Sequence, residues 1–468
     1  MVISQDRCRG TCCHKPSFNR NVAILAGIVL VAAALRLWGA GFGLPFIYHI
    51  DEPAYGVETA LKLGKGIIGQ PPVEPAFANM LFIEYALYYT VGRMIGFFQS
   101  TADFARSYYR DPSVLVLLSR LTSAAAAVLT VVIVYQLGKV TRRPSVGLLA
   151  SWFLAIAFLH VRNSHYGVGD IVVTFWIFLS VLFAVLALQK RSLMNLYLAA
   201  ATGAVAIATK WSALPVVFPV IFVMLEVNRR VGHEKVLWIR RAGSVTFATA
   251  ISFLGGLGAS GFQFFLKPLA YWNHISFLRS MGEQGGFLIW QVDTLAGWLF
   301  YVKILAIGLG IALLGLAAVG GTRRLVLFRY HRDHVTILLL LFPSVYCLFM
   351  GSTRHYMARY ALPLLPFCCL FAAEAVEAIA DWISAQWPKL RIVTMAVLII
   401  AASIQPLSAD IRHDLLLTRE DTRTIAKQWI ESNITEVSCT LTSCTLGSFE
   451  RSLKTLILRR FQASNGQF

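Results

Sequence analysis

The sequence predicts an all-α, multi-pass membrane protein, and three features carry that prediction. Of its 468 residues, 57% are hydrophobic and only 14% are charged, more apolar surface than a soluble fold of this size hides. The apolar residues come in blocks of about 20, the length at which a helix crosses a bilayer core. Short clusters of Lys and Arg separate the blocks, as they do in cytoplasmic loops. The net charge of +18 follows from those clusters, and no nucleic-acid-binding motif accompanies it.

Residues 1–20 form a basic tail. The apolar block after them lacks a small-residue cleavage site and reads as a retained first helix over 21–40. Next come the loop 41–113 and ten further spans, at 114–137, 146–160, 171–188, 193–209, 211–227, 242–262, 296–319, 335–350, 361–382 and 391–407. A tail over 408–468 closes the chain. The stretch Phe77–Phe98 is long enough to cross, and charge decides against it. With eleven spans, 16 basic residues of the short loops share the side of the N-terminal tail and six (Arg162, Lys210, Lys267, Arg279, Arg354, Arg359) face the other. A twelfth span at Phe77–Phe98 would invert that bias, and Glu84 and Arg93 within it disfavour lipid. It reads as an interfacial helix. The N-terminus is then cytoplasmic and 41–113 is one long extracytoplasmic loop.

The cysteines form no framework: Cys347, Cys368 and Cys369 lie in apolar spans. Cys8, Cys12, Cys13 and His14 suit either a metal or S-acylation.

On this topology the ionisable residues at the outer ends of the spans share one membrane depth. They are Arg36, Asp51, Glu52, Arg120, His165, Asp170, Lys210, Arg354, His355 and Arg359, with Tyr55 and Tyr360 beside them. Ionisable groups at that depth are functional candidates. Blander roles compete: Arg36 and Arg120 could snorkel to headgroups, Lys210 could be an interfacial anchor, and Asp51 before Pro53 could cap a helix. As a set they suit group transfer. Arg and Lys stabilise a phosphate leaving group as its charge develops, and a carboxylate takes the proton of an attacking hydroxyl. A sugar carried on a lipid phosphate fits both.

The stretch RLWGAGFGLPFIYHIDEPAYGVETALKLGKG resembles the first outer loop of GT-C-fold glycosyltransferases that use polyprenyl-phosphate sugars, among them the protein O-mannosyltransferases and the aminoarabinose transferases of lipid A. The segments LLSRLTSAAAAVLTVVIVYQLGKVTRRPSVGLLASWFLAIAFLHVRNSHYGVGD, ATKWSALP, RHYMARYALPLLPF and DTRTIAKQWIESNI are similar to later family segments in order and sidedness. The resemblance implies a GT-C-type bundle of about 11 transmembrane helices with interfacial helices in the first loop. It implies that Asp51 is the catalytic acid, with Glu52 its neighbour and Asp170 a second acid. Lys210, Arg354, Arg359 and Arg120 would bind the donor phosphate, with His165, Tyr55 and Tyr360 as further site candidates. Some relatives use a divalent metal and others none. The implied reaction moves a sugar, mannose-like or another hexose or pentose, from a polyprenyl or dolichyl phosphate to an extracytoplasmic hydroxyl of a protein, lipid or polysaccharide, with inversion. The implied place is the plasma membrane, with the bilayer as partner.

Two departures stand out. Where the aminoarabinose transferases carry Lys-Pro-Pro-Leu, this chain has Gln70 followed by Pro-Pro-Val and then Glu74. After Ile434 the sequence lacks the strand–helix alternation of the family's soluble outer domain. The competing reading is a secondary transporter or flippase, whose paired halves and midplane polar groups the sequence does not display.

Overall fold

The computed structural model describes residues 20–68, 75–229, 235–284, 297–331, 333–354 and 356–433. The N-terminal Cys/His cluster, Gln70 to Glu74, His355 and the segment after Asn433 lie outside the described residues. Helices make up the described chain: α1 Arg20–Leu37, α2 Glu58–Gly64 entered through a π-helical turn at Pro53–Val57, α3 Pro75–Met94, α4 Thr101–Arg110, α5 Ser113–Thr141, α6 Pro144–Ala155 and α7 Phe158–Ser164. Next are α8 Gly169–Lys190, α9 Leu193–Thr209, α10 Val217–Arg229 after a 3-10 turn at Trp211–Val216, α11 Lys235–Gly261, α12 Gln263–Leu266 and α13 Pro268–Gln284. The last are α14 Gly297–Leu309, α15 Ile311–His331, α16 His334–Gly351, α17 Leu365–Gln386 after a 3-10 turn at Ala358–Leu364, α18 Arg391–Leu417 and α19 Thr422–Asn433. Among the described residues, those up to Arg419 make one compact unit and those from Glu420 on, with α19, a second.

Among the described residues nine helical stretches are long and apolar enough to span a membrane, and the bent pair α6–α7 makes a tenth. All backbone polar groups must be satisfied within lipid, so helices are the only open choice there. The most deeply packed are α8 and α17, with Ile171, Ile177, Phe178, Val181 and Val185 of the first and Phe367, Cys369, Ala372 and Val376 of the second all buried. Helix α3 is not among the nine. Phe77, Leu81 and Tyr85, spaced at i, i+4, i+8, are buried, while Ile83, Leu87 and Val91 on the other face are exposed.

Three expected elements differ. The span 146–160 breaks between α6 and α7 with a bend of 59°. Arg36, fully buried rather than snorkelling, satisfies the break: its Nη1 donates to the Ala155 carbonyl at 2.9 Å and its Nη2 to that of Leu154 at 3.2 Å. Those are the carbonyls a helix end leaves without intrahelical partners. The span 296–319 divides at Gly310, whose φ of +83° suits glycine, and the side chain of Gln405 accepts from the Ile311 amide at 3.0 Å. The last span does not stop at 407 but runs on to Leu417.

The two ends of the bundle differ chemically. Arg120 and Arg142 are separated by about 30 Å of α5. Around Arg142 a network ties α5, α6, α15, α17 and α18 together. Arg324 pairs with Glu374 through two bonds, one of 2.7 Å, Arg143 meets Glu377 and, at 2.8 Å, Asp381, and Arg391 reaches the same two acids at 2.9 and 3.1 Å. The basic loop residues are thus held together at one end, and Asp51, Asp170, Lys210 and Arg359 gather at the other.

The break at Gly310 gives a direct test. Gly310→Val forces a β-branched residue into left-handed backbone beside Gln405 and Pro406, and the melting midpoint in detergent should fall by the equivalent of about 1–3 kcal/mol. Gly315→Ala, helical with nothing within 4 Å of the added methyl, should leave the midpoint unchanged or raise it. Equal midpoints for Gly310→Val and the parent would refute the role given to that turn.

Candidate active site at one end of the bundle

The first loop is anchored by its second acid. Glu52 is fully buried, and Arg120 of α5 grips it in a two-pronged pair, Nε to Oε1 at 2.8 Å and Nη2 to Oε2 at 2.9 Å. The remaining nitrogen, Nη1, donates to the carbonyls of Ala40 and Phe42 at 2.9 and 2.8 Å. The guanidinium also lies 3.9 Å from the centre of the Phe42 ring. The amide of Gly167 donates to Glu52 Oε1 at 2.8 Å, an approach only glycine allows, since a Cβ there would fall 2.0 Å from Ser119 Oγ. Arg120 is therefore not available for a donor phosphate as the sequence led us to expect: its donors are taken by Glu52 and two carbonyls. The Glu52 carboxylate is likewise taken up, by Arg120 and the Gly167 amide.

With Glu52 pinned, the preceding residue projects the other way. The Asp51 carboxylate accepts from Arg359 Nη1 instead of capping the helix that starts beside it. Arg359, on the 3-10 turn before α17, lies with its Nε 3.9 Å from Asp170 Oδ2. Asp170, in the first turn of α8, is buried and accepts from Lys210 Nζ at 2.6 Å. Lys210 sits in extended backbone between α9 and its following turn. Its ammonium is 5.4 Å from the centre of the Tyr360 ring. Asp51, Arg359, Asp170 and Lys210, from four separated segments, form one alternating row of charge. Their side chains remain 6–23% exposed, so a ligand can reach them. The acids do not fit a divalent ion, because Arg359 already stands between them.

Other expected residues fall elsewhere. Tyr55 is 43% exposed on the π-helical turn, and Arg354 is exposed. His165 is buried behind the row, between the carbonyls of Val161 and Trp38. Sequence reading missed His49, two residues before Asp51. Its ring stacks on Tyr166 at 4.3 Å, and its Nδ1 is buried without a hydrogen-bond partner among the described residues. Burial pushes its pKa below the ordinary histidine value, outweighing the attraction of Glu52 and Asp51. The signal was present as His-Ile-Asp-Glu, but one histidine in a loop carries little information without its neighbours.

Comparison with known proteins bears on the fold. Residues 72–255 match the family described as dolichyl-phosphate-mannose-protein mannosyltransferase. The oligosaccharyltransferase of Archaeoglobus fulgidus in its apo form is similar in structure, with a TM-score of 0.57 and 13% identity, over 90% of this chain and 59% of that one. The oligosaccharyltransferase AglB from Archaeoglobus fulgidus, in complex with an inhibitory peptide and a dolichol-phosphate, gives 0.54 and 14% over 89% and 58%. ArnT of Cupriavidus metallidurans bound to undecaprenyl phosphate gives 0.52 and 13% over 85% and 76%. No curated protein matches the sequence. The chain spans about three-fifths of the oligosaccharyltransferase's length. It is an integral membrane protein with the GT-C fold, and its central segment carries the match to the mannosyltransferase family.

Two measurements follow from the geometry. Glu52→Gln leaves the Arg120 charge buried without its counter-ion, so stability should fall by about 3–5 kcal/mol, read as a lowered melting midpoint; an unchanged midpoint would refute the anchoring role. His49 contributes stability that is present above its unfolded pKa of about 6.5 and lost as pH drops toward its lower folded value. Between pH 7 and 5.5, His49→Gln should therefore lose less stability than the parent, and a parallel decline would contradict the burial of a neutral ring.

Proposed function

We propose that this chain is a glycosyltransferase that moves a sugar from a polyprenyl or dolichyl phosphate to an acceptor hydroxyl at one face of the membrane. The observation that carries the reading is the row Asp51–Arg359–Asp170–Lys210 at one end of an apolar bundle. It sets a carboxylate that can take a proton beside two cations that can take a phosphate. The mannosyltransferase family match supports it, as do the lipid phosphates bound by the structurally similar AglB and ArnT.

The chemistry is one displacement. The acceptor oxygen attacks the anomeric carbon as its proton passes to Asp51, and the bond from that carbon to the phosphate oxygen breaks. The lipid phosphate leaves with the electron pair, stabilised by Arg359 and Lys210. Attack opposite the leaving group inverts the anomeric centre. Asp170 holds Lys210 and flanks Arg359, which keeps both cations from collapsing together onto Asp51. The phosphate must compete with Asp51 for Arg359, so donor binding itself frees the carboxylate to act as base. The family match makes a mannosyl phosphate the first donor to try and a protein hydroxyl the first acceptor.

The charge distribution supports a sidedness for this reaction. The basic end around Arg142, Arg143, Arg324 and Arg391 faces the cytoplasm together with the N-terminus, and the acid–cation row faces outward, in a plasma membrane. Cysteines placed at Lys65 and at Ala105 should both react with an impermeant thiol reagent from outside, and one at Ser145 only after permeabilisation. Opposite accessibility of 65 and 105 would overturn the assignment.

The direct test is transfer by purified variants. Asp51→Asn keeps the shape and removes the base, and should lower transfer by about 10²–10⁴-fold with the melting midpoint unchanged. Arg359→Ala and Lys210→Ala should each weaken donor use by about 10- to 150-fold, one charge-assisted contact apiece. Arg359→Lys should restore part of the loss, because an ammonium cannot reproduce a guanidinium fork. Near-normal turnover by Asp51→Asn would end this mechanism.

A further inference from the structure

Behind the acid–cation row, where α18 meets the end of α7, lies a second cluster that the transfer reaction does not use. His165, His413 and Asp414 are the one group of three or more ligand-type side chains among the described residues whose donor atoms converge, all within 4.8 Å of one another. His165 Nε2 is 3.5 Å from Asp414 Oδ1, and His413 Nδ1 is 3.3 Å from the same oxygen.

The hydrogen bonding of His165 is incomplete for a neutral ring. Its Nδ1 is 3.0 Å from the carbonyl of Val161, one turn earlier. A neutral ring that donates there turns the lone pair of Nε2 toward the Trp38 carbonyl, 3.0 Å away, and toward Asp414. The Nε2 lone pair, the Trp38 carbonyl and Asp414 Oδ1 then face one another, with His413 Nδ1 3.3 Å from that oxygen. That tautomer, with the far nitrogen held by a backbone carbonyl, is how metal-bound histidines are oriented. Buried acceptors extend further. Asp410 and Asp414 are fully buried, and both oxygens of Asp410 and Oδ2 of Asp414 have no hydrogen-bond partner among the described residues. The nearby cation, Arg36, directs its Nη atoms to the carbonyls of Ala32, Leu154 and Ala155 and to His160.

We propose that His165, His413 and Asp414, with the Trp38 carbonyl at the fourth corner, bind a divalent ion of the zinc class. Two imidazoles and a carboxylate select such a metal over Mg²⁺ or Ca²⁺. Zinc bonds of about 2.0–2.1 Å set tetrahedral ligand–ligand edges of about 3.3 Å; three edges, of 3.0, 3.3 and 3.5 Å, lie near that length, and the donor atoms of the two histidines lie within 4.8 Å of each other. The ion is structural. It fastens α18 and the end of α1 to His165, two residues before the Gly167 amide that holds Glu52.

Zinc alone is the probe. The full chain, purified in detergent and dialysed against Zn²⁺ and then buffer, should retain about one zinc per chain by elemental analysis. Cobalt in its place should give the intense visible d–d bands of a tetrahedral site. His413→Ala, whose side chain is 14% exposed and leaves room for solvent, should lose most of the metal and the bands. His334→Ala, which removes a histidine beside Glu226, should lose neither. A chelator should lower the melting midpoint of the parent, with recovery on zinc addition, and leave His413→Ala unmoved. If His413→Ala proves unstable, Asp414→Asn serves the same comparison. Parent protein that retains no zinc and shows no cobalt bands would overturn the proposal, as would metal retained undiminished in these variants.

Discussion

The site depends on one buried ion pair. Glu52 and Arg120 bury a two-pronged bond between the first loop and α5, and every further position in the loop is measured from it. The desolvation of two charges is repaid only when the remaining donors and acceptors are also met. Here they are met by the Ala40 and Phe42 carbonyls and by the Gly167 amide. The pair therefore fixes three strands of chain at once: the segment leaving α1, the turn that starts α2 and the loop between α7 and α8. Adjacent residues on a helical turn point about 100° apart, so fixing Glu52 inward leaves Asp51 directed at the open row.

A second consequence concerns how charges are used at the two ends. At the basic end, Arg142, Arg143, Arg324 and Arg391 meet Glu374, Glu377 and Asp381 in a compact network that joins helices. At the other end the pairing is looser. Arg359 keeps a buried Nε without a hydrogen-bond partner among the described residues and lies 3.9 Å from Asp170. A cation with an unspent donor beside a partly exposed carboxylate is poised to accept an incoming anion.

Much of this was legible in the sequence, for physical reasons. Apolar block lengths and loop charge gave the helical membrane fold, and Glu84 and Arg93 kept Phe77–Phe98 out of the count. Asp51, Asp170, Lys210 and Arg359 stood out because ionisable residues at membrane depth are expensive. Who pairs with whom was not legible, since pairing is a property of packing across 40 to 300 residues. Arg120 and Arg359 look alike in sequence, yet one is locked against Glu52 and the other faces Asp51. The breaks at Ala155 and Gly310 were hidden because hydropathy reads through them, and only the side chains of Arg36 and Gln405 show what makes each break tolerable. His49, Asp410 and His413 carry no motif and acquire meaning only from their neighbours.

The central claim is that the donor phosphate takes Arg359 from Asp51 and thereby frees the base. It is tested most directly by the affinity of purified protein for undecaprenyl phosphate, which carries no sugar to transfer, in the parent and in Asp51→Asn. Removing the carboxylate charge leaves Arg359 fully available, so the account predicts that Asp51→Asn binds the lipid phosphate more tightly than the parent while failing to transfer sugar. Equal or weaker binding by Asp51→Asn would contradict it.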